Sequence, residues 1–355
     1  MTGAGLRLAR QARGFSQQQL AGMAGVSRQA VSAVESGHSD PSLRVALAIA
    51  QALGLSVEEL FGPGEPAAPV TATSVAPLSG HGERVSLAAV GDRFVALPLR
   101  GDAGASLGFL PAGGLAATPT EIRPLGPPRP TLVVAGCDPA LPLLGPPLSR
   151  LDPPVAFAWW PCGAGEALRL ARAGLVHAAG VHAGGHARAG DGESGIPDGA
   201  IIVGFTAWRE GLAVRKDMRS AITGLDAIAV NGLRLVNREP GAEARRLLDR
   251  ERVRLKLDPA DLIGYGSRAA GHLQVASAVA AGLSDAGVAS EPAARAYGLG
   301  FVPLAQEQFS LIIPAEHAGS REAQALLKIL PSPWLLAQLA SLPGYDAATC
   351  GVRAR

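Results

Sequence analysis

The chain has 355 residues, enough for two or three folded units rather than one core. With 48% hydrophobic and 17% charged residues, general disorder is excluded, and a net charge of +2 by itself neither requires nor rules out a polyanionic partner. Cys137, Cys162 and Cys350 are too few and too scattered for a disulfide framework. The opening Met1 to Gln11 lacks an apolar signal core, and no run approaches the roughly 20 apolar residues of a membrane span. A reducing cytoplasm with no membrane contact is therefore expected.

Residues 3–61 read as short helices with tight turns. Leu6-Arg7-Leu8-Ala9-Arg10 opens one helix, and Ser16 is placed to cap a second through Gln17-Gln18-Gln19-Leu20-Ala21. Gly25-Val26-Ser27 turns the chain, with Ser27 able to cap a third helix that starts at Arg28 and stops at Gly37. Leu8, Leu20, Ala24, Val26, Val31 and Val34 fall where a small bundle needs apolar groups. Leu43, Leu47, Ile49 and Leu53 extend that core on a fourth helix, and Val57, Leu60 and Phe61 close it. The third helix alternates its inner stripe with small polar residues, a surface suited to a DNA major groove.

Prolines from Pro63 to Pro77 mark 63–80 as an extended linker. Val85, Leu87, Val90, Phe94, Val95 and Leu97 predict a hairpin turned at Gly91-Asp92, inside a small β connector over 81–126. From Thr131 strand-like and helix-like stretches alternate, which indicates a mostly parallel sheet covered by helices in a domain spanning 127–343, with 344–355 left as a tail. Loops at Gly136-Cys137-Asp138, Cys162-Gly163 and Pro240-Gly241 lead into helices, where free backbone N–H groups favour a bound ligand. The predicted fold is thus multidomain: an all-α bundle over 1–62, a small β-rich connector and an α/β domain.

The N-terminal residues resemble the Cro/phage-repressor-like (XRE) helix-turn-helix family over essentially all of 3–62. That resemblance implies that Gln17 meets a phosphate and that Arg28, Gln29 and Ser32 face base edges. It places Ser27 nearby and makes Arg10 and Glu35 an internal ion pair. It also implies double-stranded operator DNA as partner, bound by a homodimer on half-sites about one helical turn apart. Residues 131–342 resemble the two-lobed periplasmic-binding-protein-like domains related to molybdate-binding proteins. The resemblance is carried by Gly136 to Leu141, Gly163-Ala164-Gly165, Arg209-Glu210-Gly211-Leu212, Val236-Asn237-Arg238 and Phe301-Val302-Pro303-Leu304. It implies two lobes joined by crossings near Ile201–Thr206 and Pro303–Leu311. A small molecule is then expected among Cys137, Asp138, Cys162, Gly163, Asn237, Arg238, Gly241, Glu243 and Arg245. The family's usual hydroxyl-bearing run after the Asn-Arg pair is replaced by Gly241-Ala242-Glu243-Ala244-Arg245. A carboxylate at Glu243 is expected to disfavour an oxyanion unless Arg238 or Arg245 neutralises it.

Two alternatives stay open at this level. His177, His182 and His186, with Cys137, Cys162 and Glu243, could serve a metal- or redox-sensing regulator. Their spacing matches no metal motif, so packed or solvated histidines are the ordinary reading and no metal or other cofactor is assigned. An α/β enzyme tethered to DNA is the other, but no nucleophile elbow, P-loop or convincing dinucleotide fingerprint accompanies the Ser, His and Asp residues, and no catalytic residue is assigned. Trp159, Trp160 and Trp208 fit either core packing or a pocket wall.

Overall fold

The computed structural model describes residues 3–61, 68–101, 110–182 and 195–354, in two compact units divided after Ala68. The first unit comprises α1 (Gly3–Ala12), α2 (Gln17–Ala24), α3 (Arg28–Glu35), α4 (Leu43–Leu53) and α5 (Val57–Phe61). Its local signals act as expected. Ser16 and Gln19 form a reciprocal capping box at the start of α2, the left-handed Gly25 ends that helix, and the Ser27 hydroxyl accepts from the Ala30 N–H to start α3.

The core of this unit is offset from the expected one. Leu6, Leu20, Val31, Ile49 and Leu53 are fully buried, but Leu8, Leu43 and Leu47 are exposed, at 64%, 72% and 53%. On α4 the buried face runs Ala46, Ile49, Ala50, Leu53, whereas Leu43 and Leu47 lie four apart on the opposite face. The centre is tied by charge as well as by apolar contact. Arg10 donates to both Glu35 oxygens at 2.6 and 3.1 Å and to the Phe15 carbonyl at 2.6 Å, and Gln17 donates to Glu35 at 2.9 Å. Burial alone would raise the Glu35 carboxyl. The hydrogen bonds from Arg10 and Gln17 hold it below its ordinary range instead.

The second unit begins with a closed barrel of β1 (Val70–Ser74), β2 (Arg84–Val90), β3 (Arg93–Pro98), β4 (Gly114–Ala116) and β5 (Glu121–Pro124), in the order β1-β3-β2-β4-β5. The predicted hairpin turn at Gly91-Asp92 is present, with Val90 opposite Arg93. The linker assignment fails at Val70–Ser74. This β-branched run pairs parallel with β3 and antiparallel with β5, and so closes the barrel. Nor is the barrel a detached spacer. One face of β2 and β3 fills it with Val85, Leu87 and Ala96, while the other face presents Ala88, Val90, Val95 and Leu97 to Val133, Leu170 and Val181 of the following domain.

That domain is built on one mixed sheet. One lobe holds β6 (Thr131–Gly136), β7 (Ala156–Pro161) and β8 (Ala178–His182), with β6 pairing parallel to both neighbours. The other holds β10 (Leu235–Arg238), β11 (Arg268–Ala269) and β12 (Ala286–Ser290), with β10 parallel to both of its neighbours. Between them run two 14-residue strands, β9 (Ile201–Val214) and β13 (Gly300–Ile313), antiparallel to each other. The crossings expected near Ile201–Thr206 and Pro303–Leu311 fall within these two strands. The helices α6 (Gly145–Ser149), α7 (Ala164–Arg172), α8 (Leu225–Val230), α9 (Glu243–Arg254), α10 (His272–Ala280), α11 (Glu291–Ala296), α12 (Arg321–Ile329) and α13 (Pro333–Ala340) follow the predicted alternation. The expected tail is part of the domain: β14 (Tyr345–Asp346) pairs with β9 opposite Trp208 and Ala207, and Cys350 is buried. A Cβ at Gly204 would stand 2.3 Å from the Thr349 carbonyl oxygen, so only glycine lets the tail lie this close. Among the described residues no helix is long and apolar enough to cross a membrane.

Replacing Glu35 with Gln leaves the Arg10 guanidinium buried without a counter-charge. The first unit should lose about 3–5 kcal/mol, as expected for breaking a buried pair from one side. Hydrogen exchange on the full chain should show α1–α3 amides losing protection while β6 and β9 amides keep theirs.

Candidate functional site

The three parallel strands of the first lobe end side by side, and the residues at their ends meet the second lobe. Cys137 comes directly after β6, Cys162 directly after β7, and His182 ends β8; Arg238 ends β10 and His272 opens α10 opposite them. Cys137, Trp159, Cys162, Arg238 and His272 line one cleft whose unfilled volume is about 350 Å³, open mouth included. Trp159 is fixed in the wall by donating from Nε1 to the Gly136 carbonyl at 2.8 Å. The lobes also approach at Gly163, where a Cβ would stand 3.3 Å from Glu239 Oε1 of the other lobe.

Beneath the cleft lies a floor of buried polar groups. Glu210 comes from β9, Glu307 from β13 and His182 from β8, beside Cys137 and His272. His182 Nε2 is 3.1 Å from Cys137 Sγ, while Nδ1 stands 3.6 Å from Glu307 Oε2 and 3.8 Å from Glu210 Oε2. His272 Nδ1 accepts the Ser290 N–H at 3.1 Å and lies 3.9 Å from Glu210 Oε1. Burial disfavours the cationic form of His182, but Cys137, Glu307 and Glu210 together raise its pKa well above the ordinary value. Burial pushes Glu210 up to about 7, partly offset by His182. Burial, with Arg238 and His182 nearby, holds His272 well below the ordinary range and therefore neutral.

The sequence-predicted residues divide. Cys137, Cys162 and Arg238 reach the cleft, and Gly163 stands at the lobe junction. Asp138 does not: it is fully buried and its oxygens accept from Thr206 at 2.5 Å, Tyr345 at 2.7 Å and the Ala140 N–H at 2.8 Å, so it anchors β9 and the tail. Asn237 is likewise spent on backbone, donating to the Tyr265 carbonyl and accepting from the Arg238 N–H. Gly241 is an exposed turn residue at φ +89°. Glu243 is not among the residues that line the cleft; its carboxylate is paired with Arg250 at 2.7 Å and Arg246 at 3.3 Å along its own helix. Arg245 donates to the Arg238 carbonyl and stacks over Tyr265, and Arg238 is held bidentately by Glu239 at 2.8 Å.

Of the histidine set, His182 joins the floor, whereas His177 is buried elsewhere, accepting the Val133 N–H at 3.1 Å. His186 lies outside the described residues. Trp208 packs in the core against His182 and Phe309. Sequence reading missed Glu210, His272 and Glu307 as site residues. The available signal for Glu210 and Glu307 was a carboxylate inside the mostly apolar runs Gly204–Val214 and Phe301–Ile313.

In the first unit Ser27, Arg28 and Gln29 are exposed at the start of α3 and Ser32 is half-buried one turn on. Arg28 and Gln29 make no side-chain hydrogen bond or ion pair to other described residues. Gln17, by contrast, has its amide engaged by Glu35.

Together these features define a helix-turn-helix unit joined to a two-lobed binding domain. Residues 146–331, more than half of the chain, match the PBP superfamily domain, and the chain belongs to that family; residues 6–60 match the helix-turn-helix family. The chain is 34% identical over 150 residues to the uncharacterized protein YvgK of Bacillus subtilis, an alignment covering 42% of this chain and 48% of YvgK, so it spans about half the length of that relative. Over 47 residues it is 45% identical to the uncharacterized HTH-type transcriptional regulator MJ0272 of Methanocaldococcus jannaschii, covering 13% of this chain and 71% of that protein. A putative phosphate transporter substrate-binding protein from Clostridium perfringens, solved with bound phosphate, is similar over 59% of this chain and 96% of its own at 13% identity and a TM-score of 0.44.

His177 supplies a pH test. Burial foremost, and His317 next to it, depress its pKa from the ordinary 6.5 to about 4, while Glu322 at 4.0 Å does not offset them. The folded state thus holds a neutral imidazole that the unfolded chain protonates more readily. The contribution is fully present above pH 6.5 and is lost as pH falls toward 4, by about 3 kcal/mol in all at ~1.4 kcal/mol per unit. Urea unfolding at pH 7, 5 and 4 should show a shallower acid loss in His177→Gln than in the wild type.

Proposed function

We propose that the protein is a ligand-responsive DNA-binding regulator that acts in the cytoplasm as a homodimer. The observation that carries this reading is a capped recognition helix with Arg28 and Gln29 exposed and uncommitted, on the same chain as a two-lobed cleft. In this reading Arg28, Gln29 and Ser32 read base edges in the major groove, and Ser27 approaches the backbone while capping α3. Gln17 serves DNA through the Glu35 network, by fixing α2 against α3, more than by a free amide. A single module gives limited specificity, so two copies on half-sites one helical turn apart are required. The small molecule binds among Cys137, Cys162, Arg238 and His272, and acts by favouring one arrangement of the lobes over another.

Arg28→Ala and Gln29→Ala should each weaken binding to a selected operator by about 1–3 kcal/mol, and wild-type affinity should fall steeply with salt. Fluorescence anisotropy checks this; a double variant with wild-type affinity would remove α3 as the reading helix.

The charge at the cleft also narrows the ligand. The Arg238 charge is already paired with Glu239, and Glu210 and Glu307 lie below, so a multiply charged oxyanion meets carboxylates without an unpaired cation. Calorimetry with molybdate should show weak or no binding. The pair Ala242→Ser and Glu243→Gly should leave it unimproved, because Glu243 is spent on Arg246 and Arg250.

A further inference from the structure

The floor under the cleft holds five polar atoms that the fold buries and leaves without a hydrogen-bond partner: His182 Nδ1, both carboxylate oxygens of Glu210, Glu307 Oε2 and His272 Nε2. Groups of this kind in a protein interior are ordinarily paired, and an unfilled set points to a water or an ion. We propose that His182 Nδ1, Glu210 and Glu307 bind one divalent first-row transition-metal ion, of the class that accepts mixed nitrogen and carboxylate donors. This site goes beyond the regulator reading and does not depend on it.

The geometry suits such an ion. Bonds of about 2.1 Å to nitrogen and oxygen in a tetrahedral arrangement put donors roughly 3.4 Å apart. His182 Nδ1 stands 3.6 Å from Glu307 Oε2 and 3.8 Å from Glu210 Oε2, and the three residues offer donor atoms that all lie within 4.8 Å of one another, so side-chain adjustment brings them to one ion. The chemistry suits it as well. Two carboxylates converge on one imidazole nitrogen in a space closed to water, and a dication matches their charge as one proton cannot. His182 then needs an outer partner on its other nitrogen. Cys137 Sγ lies 3.1 Å from Nε2 and accepts that N–H, the usual way a metal-bound imidazole is oriented.

A thiolate site made of Cys137, His182 and His272 is the competing assignment, since their donor atoms also lie within 4.8 Å of one another. His272 argues against it. Its Nδ1 accepts the Ser290 N–H, so in the neutral ring the proton sits on Nε2 and neither nitrogen has a free lone pair for an ion. One imidazole also cannot aim Nδ1 and Nε2 at the same ion, and the two carboxylates face Nδ1 of His182.

The donors sit on three adjacent strands, β8 of the first lobe and the two crossings β13 and β9. A bound ion would therefore brace the floor of the cleft.

The test uses the full chain, stripped with chelator and confirmed folded by circular dichroism. It is titrated with zinc alone and with manganese alone, and bound metal is counted by elemental analysis after equilibrium dialysis. The expected result is one ion per chain for at least one of the two. Affinity should fall a hundredfold or more in Glu210→Gln and in Glu307→Gln, and at most about a hundredfold in Cys137→Ser. Cobalt substitution should give visible d–d bands with no thiolate charge-transfer band. Absence of stoichiometric binding of either metal to the folded wild type overturns the proposal. A strong thiolate-to-cobalt band also overturns it, by moving the ion to Cys137. Unchanged affinity in both Glu variants does the same. The wild-type stoichiometry and the cobalt spectrum need no variant, so they decide the matter even where a substitution prevents folding. Operator binding through α3 is a separate measurement, and neither result predicts the other.

Discussion

The antiparallel pairing of β9 with β13 is the constraint on which the rest of the binding domain depends. Each strand runs through both lobes, so the same backbone that joins the lobes also forms the floor between them. The pairing is continuous from Ile201 opposite Ile313 to Val214 opposite Gly300, with register irregularities between Pro303 and Ala305 and between Phe309 and Ser310. Those irregularities bracket Glu307 and leave Ala305 opposite Glu210, which sets where the two carboxylates stand. Close approach is built in as well. A Cβ at Gly211 would lie 2.1 Å from the Val302 carbonyl oxygen, so the crossing at that point admits only glycine.

Two buried charge networks behave in opposite ways. At Glu35 every oxygen is met by Arg10 or Gln17, and the network fixes α1, α2 and α3 against one another. At Glu210 both oxygens are unmet, and so are His182 Nδ1 and Glu307 Oε2. A satisfied buried network specifies a fold, and an unsatisfied one is costly unless something else completes it. The contrast separates the structural charge cluster of the first unit from the chemical one of the second. Asp138 belongs with the first kind: although it sits in a loop next to the cleft, Thr206, Tyr345 and the Ala140 N–H use its carboxylate to hold strand and tail together.

Segments that look like accessories in the sequence are part of the packed domain. The barrel shares a core with β6, β8 and α7, and Tyr345, Asp346 and Arg353 pair with β9. Both strands of the barrel hairpin are apolar on two faces, and that is the physical sign of an element covered on two sides.

The sequence by itself determined the first unit nearly in full. Its elements are set by contacts a few residues apart: Ser16 with Gln19, Ser27 with Ala30, and the left-handed Gly25. The alternation of strands and helices in the binding domain was legible for the same reason, because strand ends and helix starts carry local signals, whereas the two crossings and a site including Cys137, Cys162 and Arg238 came from the family resemblance. Which leucines of α1 and α4 face inward was not, since both faces of those helices carry apolar residues and only packing selects one. The direction of Glu243 was decided by Arg246 and Arg250 on its own helix, and Val70–Ser74 became a strand through partners more than twenty residues away. The floor of the cleft was settled by tertiary structure alone. His182, Glu210, His272 and Glu307 are spread over some 125 residues with no common spacing; the register of β9 on β13 and of β13 on β8 brings the first, second and fourth together, and the bond from Ser290 to His272 brings in the third.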